Sequence, residues 1–404
     1  MLQIIKNQIH GIEAILANVW FGFPSSSMKV IGVTGTDGKT TTTELIYHIL
    51  NTAGKKVSEI STVKAVINGE VFDTGFHVTT PSAFSLQRFF SLAKKGGTEF
   101  MVLETTSHAL DQARTAGIKF DIAVITNVSH EHLDYHRTFD NYLKTKAKII
   151  KKVRFAVLNA DDKNFTKLAS QTSGIITFGL KKADVNPTNI SYETSLIGEF
   201  NTYNILAAVA VARLYNIDDS TIKEAIKSFK GIKGRMEEVK TSRNFRIFID
   251  FAHKINALEN ALKTIKSIAK NRIIIVFGSA GLRDQVKRPI MGKIAGKLAD
   301  ISILTAEDPR TEDVRDIISS IAQGAKVYAK ETNKRKHGRD IVDGLHYFYR
   351  IPDRQEAINF AIRVLAKKDD IVLITGKGHE KSMCYGKKEY PWDEFKAVEK
   401  SLRG

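Results

Sequence analysis

Residues 32–45, GVTGTDGKTTTTEL, decide how this chain is read. They follow the apolar pair Val30-Ile31 and combine three glycines, a lysine and a run of hydroxyls. Gly35 and Gly38 let backbone N–H groups converge on phosphate oxygens, and the helix that follows adds the positive end of its dipole. Lys39 supplies a point charge, and the Thr40 hydroxyl suits Mg²⁺. The two glycines stand closer than in G-x-x-x-x-G-K-[ST], but strand, glycine loop and helix together read as a nucleoside triphosphate site. Its candidate contacts are Gly35, Thr36, Asp37, Gly38, Lys39, Thr40 and Thr41.

Outward from this loop, β-branched apolar runs alternate with helical patterns. VIGVTG, EFMVLET, FDIAVITNVS and FAVLNA precede or separate helices, the pattern of a largely parallel sheet covered on both faces. A second series starts after Gly234, with FRIFIDFAH, RIIIVFGSAG, ADISILTAED and DIVLITGKGHE separated by helices expected at 256–269, 290–298 and 313–323. The expectation is an α/β protein: a short helical segment (1–28), a P-loop-type central domain (29–234) and a Rossmann-like C-terminal domain (235–404). The polar stretch 181–199 is a connection before a helix over Asn204–Tyr215.

The 404 residues, 43% of them hydrophobic, suffice for more than one core. The single cysteine, Cys384, excludes a disulfide framework and suits the cytoplasm. No apolar run reaches the ~20 residues of a membrane span. In the first 23 residues, Leu2, Ile5, Ile9, Ile12, Ile15 and Leu16 fall at helical spacing, followed by Trp20, Phe21 and Phe23; a helix packed on the protein is expected, with membrane or partner docking as the alternative. The net charge of +17 is spread over scattered lysines without zinc-finger spacing or an aromatic-basic platform. It reads as a solvated basic surface attracting anionic small substrates and not as a nucleic-acid site. The run from Lys330 to Arg339 is expected as an exposed loop.

Two further clusters end strands of the first sheet. LETTSHAL (103–110) places Glu104 where parallel-sheet proteins bind ligands, a buried salt bridge being the alternative. TNVSHEHLDYH (126–136) offers His130, Glu131, His132, Asp134 and His136, as a metal site or a hydrogen-bonded turn. With the glycine loop they favour Mg²⁺-assisted phosphoryl transfer. In YLKTKAKII, spacing does not separate Lys146 from Lys144 or Lys148.

The ordered series GTDGKTTT, VTTPS, LETTSHAL, TNVSHEHLDYH, FNTYN, GRMEEV, IDFAH, LRDQVKRPIMG, AEDPRTED, RIPDRQEAI and LITGKGHE resembles the Mur ligase family, ATP-dependent amide ligases of peptidoglycan precursor assembly, and most of all those adding a diamino acid as third peptide residue. The resemblance runs from about residue 29 to the C-terminus, without the usual N-terminal uridine-binding domain. It implies ATP and Mg²⁺, with Glu104, His132 and Lys146 beside Thr40 at the metal, Lys146 carrying a carbamate, and Lys39, Lys146 and His132 as the catalytic set. Thr79, Thr80, Thr106, Gln112 and Arg114 match positions holding a UDP-muramoyl dipeptide, and Asn204, Arg235 and Asp250 positions around the nucleotide. Arg283, Glu307, Asp308, Pro309, Arg310, Gly376 and Glu380 match the pocket of the incoming amino acid, where an arginine goes with meso-diaminopimelate because its guanidinium grips a distal carboxylate. In this pattern Asp37 replaces asparagine, Glu307 aspartate and Asp308 asparagine. The implied protein is a cytoplasmic monomer. A folylpolyglutamate synthetase-like or pseudomurein-type ligase, or a non-catalytic partner of the same fold, are the alternatives.

Overall fold

The computed structural model describes residues 2–74, 79–333 and 344–403. Val78 of VTTPS and Lys334 to Arg339 of the basic run lie outside the described residues, as do the side chains of Leu2, Ile5 and Asp134. The chain divides into two compact units, Met1–Lys230 and Gly231–Gly404.

The first unit is built on eight strands, β1 (Lys29–Thr34), β2 (Val57–Ile60), β3 (Ala65–Ile67), β4 (Glu70–Phe72), β5 (Phe100–Glu104), β6 (Phe120–Ile125), β7 (Phe155–Asn159) and β8 (Ile175–Phe178), in the order β4-β3-β2-β5-β1-β6-β7-β8. Pairing is parallel from β2 through β8, and only the short β3 and β4 run antiparallel. Every residue of β5 and all but the first of β1 are buried, because helices cover both faces of the sheet. Val30, Met101, Leu103 and Phe90 form one core on one face; Ala123, Ile125, Tyr142 and Leu158 form another. The strand order brings the carboxyl ends of β2, β5, β1 and β6 into one row, so loops distant in sequence become neighbours there.

The N-terminal helix α1 (Leu2–Trp20) packs on this unit, but through a face other than the one its apolar spacing indicated. Ala14, Ala17 and Asn18 are the buried residues, and Asn18 Nδ2 donates to Ala116 O at 2.8 Å. Ile9, Ile12, Ile15, Leu16 and Trp20 are exposed. Small side chains allow the close approach, and the larger apolar ones project away. Among the described residues no helix is long and apolar enough to cross a membrane.

The second unit carries a seven-stranded sheet of β9 (Glu237–Val239), β10 (Arg246–Asp250), β11 (Ile273–Phe277), β12 (Ile301–Leu304), β13 (Ala329–Glu331), β14 (His346–Arg350) and β15 (Ile371–Thr375), in the order β13-β14-β12-β11-β15-β10-β9. Only β9 is antiparallel to its neighbour. A separate hairpin pairs β16 (Ser382–Tyr385) with β17 (Lys388–Pro391). Here too the carboxyl ends of adjacent strands, β12, β11, β15 and β10, carry the motifs found in the sequence.

Candidate active site

The glycine loop leaves β1 and enters helix α2 (Lys39–Thr52), whose first residue is the loop lysine itself. Gly38 stands at φ +80° in front of the helix, and a Cβ there would lie 2.2 Å from Asn204 Oδ1; one at Gly35 would lie 1.8 Å from Thr126 Oγ1. Neither position tolerates a side chain, so the loop lies flat against its neighbours. Its backbone is pinned from the end of β6: Asp37 N donates to Asn127 Oδ1 at 3.0 Å, while Asn127 Nδ2 and Thr126 Oγ1 donate to Asp37 O at 3.1 and 2.6 Å. These hydrogen bonds hold the loop in one shape before any ligand arrives.

Around it lies an open pocket of about 210 Å³ lined by Gly35, Thr36, Lys39, Thr106, Ser107, His132, Tyr142 and Lys146. Lys39 Nζ donates to Thr36 O at 3.1 Å. Lys146, on the helix Phe139–Ala147, is only 1% exposed, donates to Gly35 O at 2.6 Å and stands 4.7 Å above the Tyr142 ring. The structure thus separates it from Lys144, which is largely exposed and pairs with Asp140 at 2.7 Å. Burial pushes the Tyr142 phenol up, so it stays a neutral hydroxyl, 3.1 Å from Thr36 Oγ1.

Glu104, at the end of β5, is buried and faces helix α2: Thr40 Oγ1 donates to Oε1 at 3.1 Å and Thr62 N to Oε2 at 2.7 Å. It is not locked in a salt bridge with a buried cation, the alternative open in the sequence, but in hydrogen bonds from a hydroxyl and a backbone amide. His132 has φ +54° and packs edge-on against His108, centroids 4.8 Å apart. His136 Nε2 lies 3.1 Å from Ser107 Oγ, and His130 stacks at 4.7 Å on Phe139. Of this loop's histidines, His132 thus lines the pocket while His130 and His136 are held in packing and hydrogen bonding. Among the described residues no three His, Cys, Asp or Glu side chains converge as a metal cage. A carboxylate beside a hydroxyl, next to a phosphate loop, is nevertheless the donor set of Mg²⁺, which keeps several waters and takes further oxygens from phosphates.

Thr80 and Thr106 meet beside Glu104: Thr80 Oγ1 donates to Glu104 O at 3.2 Å, Thr106 N donates to Thr80 Oγ1 at 3.0 Å, and Arg114 Nη1 donates to Thr80 O. Gln112 caps the short helix Ser107–Asp111, and Thr79 is half-buried next to Thr80. Asn204 accepts from Thr42 Oγ1 at 3.3 Å; Thr41 is buried in the first turn of α2.

In the second unit, Arg235 lies over the Phe251 ring at 4.5 Å, and Asp250 accepts from Met236 N and Ala252 N at 2.7 and 2.8 Å. Burial pushes the Asp250 carboxyl up, against the pull of the Arg235 charge. The AEDPR and GKGHE motifs, after β12 and β15, meet across the carboxyl end of the intervening β11. Lys377 Nζ is 2.8 Å from Asp308 Oδ1 and 2.5 Å from Glu380 Oε2, and Asp308 Oδ1 also accepts from Cys384 N at 2.9 Å. A Cβ on Gly376 would lie 2.7 Å from Glu307 Oε2. Arg310 Nη1 donates to Gly281 O at 2.9 Å, and Gly281 N to Asp308 O at 2.9 Å, tying this motif and Pro309 to the loop that bears the exposed Arg283.

Sequence reasoning missed Asn127, Thr126 and Tyr142, which shape the pocket from β6 and its following helix. Only the position of TN directly after an apolar strand could have flagged the first two. Lys377 and the ion pair of Arg354 with Glu394 were also missed; both are fully buried, which spacing does not reveal.

A glycine loop between a parallel strand and a helix, facing a carboxylate at the next strand end, defines a phosphate-binding α/β protein. Residues 33–212 match the Mur ligase middle domain, and residues 234–378 match the Mur ligase, glutamate ligase domain. The UDP-N-acetylmuramoyl-L-alanyl-D-glutamate--2,6-diaminopimelate ligase of Caldanaerobacter subterraneus subsp. tengcongensis is 36% identical over 420 residues, covering 99% of this chain and 83% of that protein. The chain belongs to the Mur ligase family. A solved ligase of the same description is 30% identical with a TM-score of 0.61, covering 93% of this chain and 78% of the other. The Mycobacterium tuberculosis folylpolyglutamate synthase, solved with ADP and AMPPCP, has a TM-score of 0.69 at 14% identity, over 90% of this chain and 91% of that one, a likeness of fold alone.

Proposed function

We propose that this chain is an ATP-dependent amide ligase that joins meso-diaminopimelate to UDP-N-acetylmuramoyl-L-alanyl-D-glutamate through an acyl phosphate, in peptidoglycan precursor synthesis. The observation that carries the reading is the pocket in which Lys39, His132 and buried Lys146 meet the glycine loop, beside the Thr40–Glu104 pair. The 36% identity to a diaminopimelate ligase over nearly the whole chain supports the choice of substrates.

The loop amides and Lys39 hold the ATP phosphates, and residues 29–234 are assigned this central role. The acceptor's carboxylate attacks the γ-phosphorus, the bond to the β-phosphate oxygen breaks and ADP leaves. Lys39 offsets the repulsion between the two anions. The amine of the amino acid then attacks the acyl carbon, loses a proton and expels phosphate, leaving the amide. Thr79, Thr80, Thr106, Gln112 and Arg114 are assigned to the acceptor, and Asn204, Arg235 and Asp250 to the nucleotide. The C-terminal domain, 235–404, is assigned the amino acid, with Arg310 and Arg283 for its carboxylates and Glu307, Asp308, Pro309, Gly376 and Glu380 around it. Thr40, Glu104 and His132 would hold Mg²⁺, which when bound neutralises phosphate charge.

Lys146 fits a carbamate. An ammonium offers a metal no lone pair, whereas its neutral amine adds to CO₂ and, losing a proton, gives an anion with two oxygens. The reading implies a monomer working in the cytoplasm.

The test is phosphate release with ATP, Mg²⁺ and bicarbonate over a matrix of acceptors and amino acids. Release is expected only with both the UDP-muramoyl dipeptide and meso-diaminopimelate; turnover confined to L-lysine or to a nucleotide-free acceptor overturns the reading. Lys146→Ala is expected to abolish ligation, with recovery on adding a short carboxylate; undiminished activity refutes the carbamate.

A further inference from the structure

The turn that follows β2, residues 61–64, adjoins Glu104, and three charged side chains outside the pocket hold it. Lys64 Nζ lies 3.1 Å from Glu44 Oε2 and 3.6 Å from Glu59 Oε1. Glu44 projects from α2 and is buried; Glu59, within β2, is fully buried. Glu44 Oε1 also accepts from Ser61 Oγ at 3.2 Å, and Ser61 Oγ donates to Lys64 O at 3.1 Å. Two carboxyls and one ammonium thus bind α2, β2 and the turn together. Among the described residues the Glu59 oxygens accept no hydrogen bond, and the Lys64 ammonium is the cation beside them. Burial, reinforced by Glu44, pushes the Glu59 carboxyl well up, against the pull of Lys64.

What this arrangement fixes is the position of Thr62. Its amide donates to Glu104 Oε2 at 2.7 Å, and its hydroxyl accepts from Thr40 Oγ1 at 3.5 Å. Thr40 and Glu104 are the two oxygen donors assigned to Mg²⁺. An amide hydrogen bond to one carboxylate oxygen fixes which way the carboxylate turns. The geometry points to Glu44, Glu59 and Lys64 as a buried clasp that positions the Thr40–Glu104 pair for magnesium, making them positioning residues for the reaction. The inference rests on the reading of that pair as a magnesium site.

A clasp that merely stabilises the fold gives a different result from one that orients a metal site. The readout is calorimetric binding of a non-hydrolysable ATP analogue to the full chain across a MgCl₂ series, with thermal unfolding in parallel. In Lys64→Met, the MgCl₂ needed for half-maximal nucleotide binding is expected to rise about 10-fold, corresponding to roughly 1.4 kcal/mol, while binding at saturating MgCl₂ stays within about 3-fold of the parent. Lys64→Arg is expected to restore the parent response. Because Lys64→Met leaves the buried Glu44 carboxylate without its nearest cation, the double variant Glu44→Leu/Lys64→Met guards against simple misfolding, an apolar pair often replacing a buried ionic one without loss of stability. It is expected to unfold near the parent temperature yet keep the raised magnesium requirement. A parental magnesium response in either folded variant overturns the clasp. No acceptor or amino acid is present, so a chain that binds magnesium and nucleotide but makes no amide refutes the proposed reaction and leaves the clasp standing.

Discussion

Lys39 and Lys146 in the first unit and Lys377 and Arg354 in the second are all basic side chains at the carboxyl end of a parallel sheet, yet they are held differently. The first two donate to carbonyls of the glycine loop, Thr36 O at 3.1 Å and Gly35 O at 2.6 Å. Lys377 lies against the carboxylates of Asp308 and Glu380, and Arg354 against that of Glu394 while also donating to Ala306 O and Thr375 O at 3.0 and 2.7 Å. A carbonyl is a neutral acceptor that a cation can exchange for a phosphate oxygen at small cost. A buried carboxylate is not exchangeable, because removing its partner leaves a charge without water. Lys39 is thus placed to trade a carbonyl for a phosphate oxygen, whereas Lys377 and Arg354 are spent on holding strand ends in place. That contrast predicts that charge removal costs activity in one unit and stability in the other.

Lys39→Met gives the largest effect. Deleting the charge that offsets two reacting anions is expected to lower the rate of ATP-dependent amide formation by roughly 10³ to 10⁵-fold, the range for a cation that stabilises phosphoryl transfer. Stability in urea is expected to change by no more than about 0.5 kcal/mol, since the side chain is only partly buried. A large stability loss with the rate retained would erase the contrast.

Arg354→Met is the counterpart. Glu394 would be left fully buried, keeping only the Trp392 Nε1 hydrogen bond at 2.6 Å from this cluster, and the carbonyls at the ends of β12 and β15 would lose their donors. Loss of about 3 to 5 kcal/mol is expected, measured as a lower urea midpoint for the second unit, with partial recovery in Arg354→Met/Glu394→Leu. An unchanged midpoint would mean that the ion pair is not what secures the strand ends.

The same contrast explains what the sequence discloses. The strands were legible because parallel sheets buried on both faces require continuous apolar runs, and the loop because glycines, lysine and hydroxyls stand together locally. Glu104 followed from its place after a strand, whereas His132 was set apart from the other residues of its loop only by the family resemblance. Lys146 did not stand out: Lys144, Lys146 and Lys148 alternate along the same stretch, and only the fold shows that one of them turns inward. Glu59 and Lys377 were illegible for the converse reason, since a single charge inside VSEI or GKG looks like surface until its partners on other strands are known. The N-terminal helix misled in a third way. Its spacing correctly gave a helix, but Ala14, Ala17 and Asn18 win the interface because small residues approach closely, and no count of apolar residues ranks small above large.

Glu307 gives the smallest expected effect and sharpens the comparison most, because it is a charge the second unit does not neutralise. Burial pushes its carboxyl from 4.5 up to about 7, despite the opposing pull of Lys287, Arg354 and Lys377, with Asp308 adding to the rise. The folded protein therefore keeps this proton up to about pH 7, whereas the unfolded chain releases it near 4.5. Between these values the folded state binds more protons, so stability falls as pH rises, by on the order of 3 kcal/mol across the window. Glu307→Gln is a neutral mimic of the protonated acid and is expected to remove that slope. Urea midpoints of the second unit at pH 5 and pH 7.5 test it: the parent should lose more stability than the variant over this interval. Equal losses would place the Glu307 proton elsewhere and show that the second unit, like its ion pairs, carries this carboxylate charged and compensated.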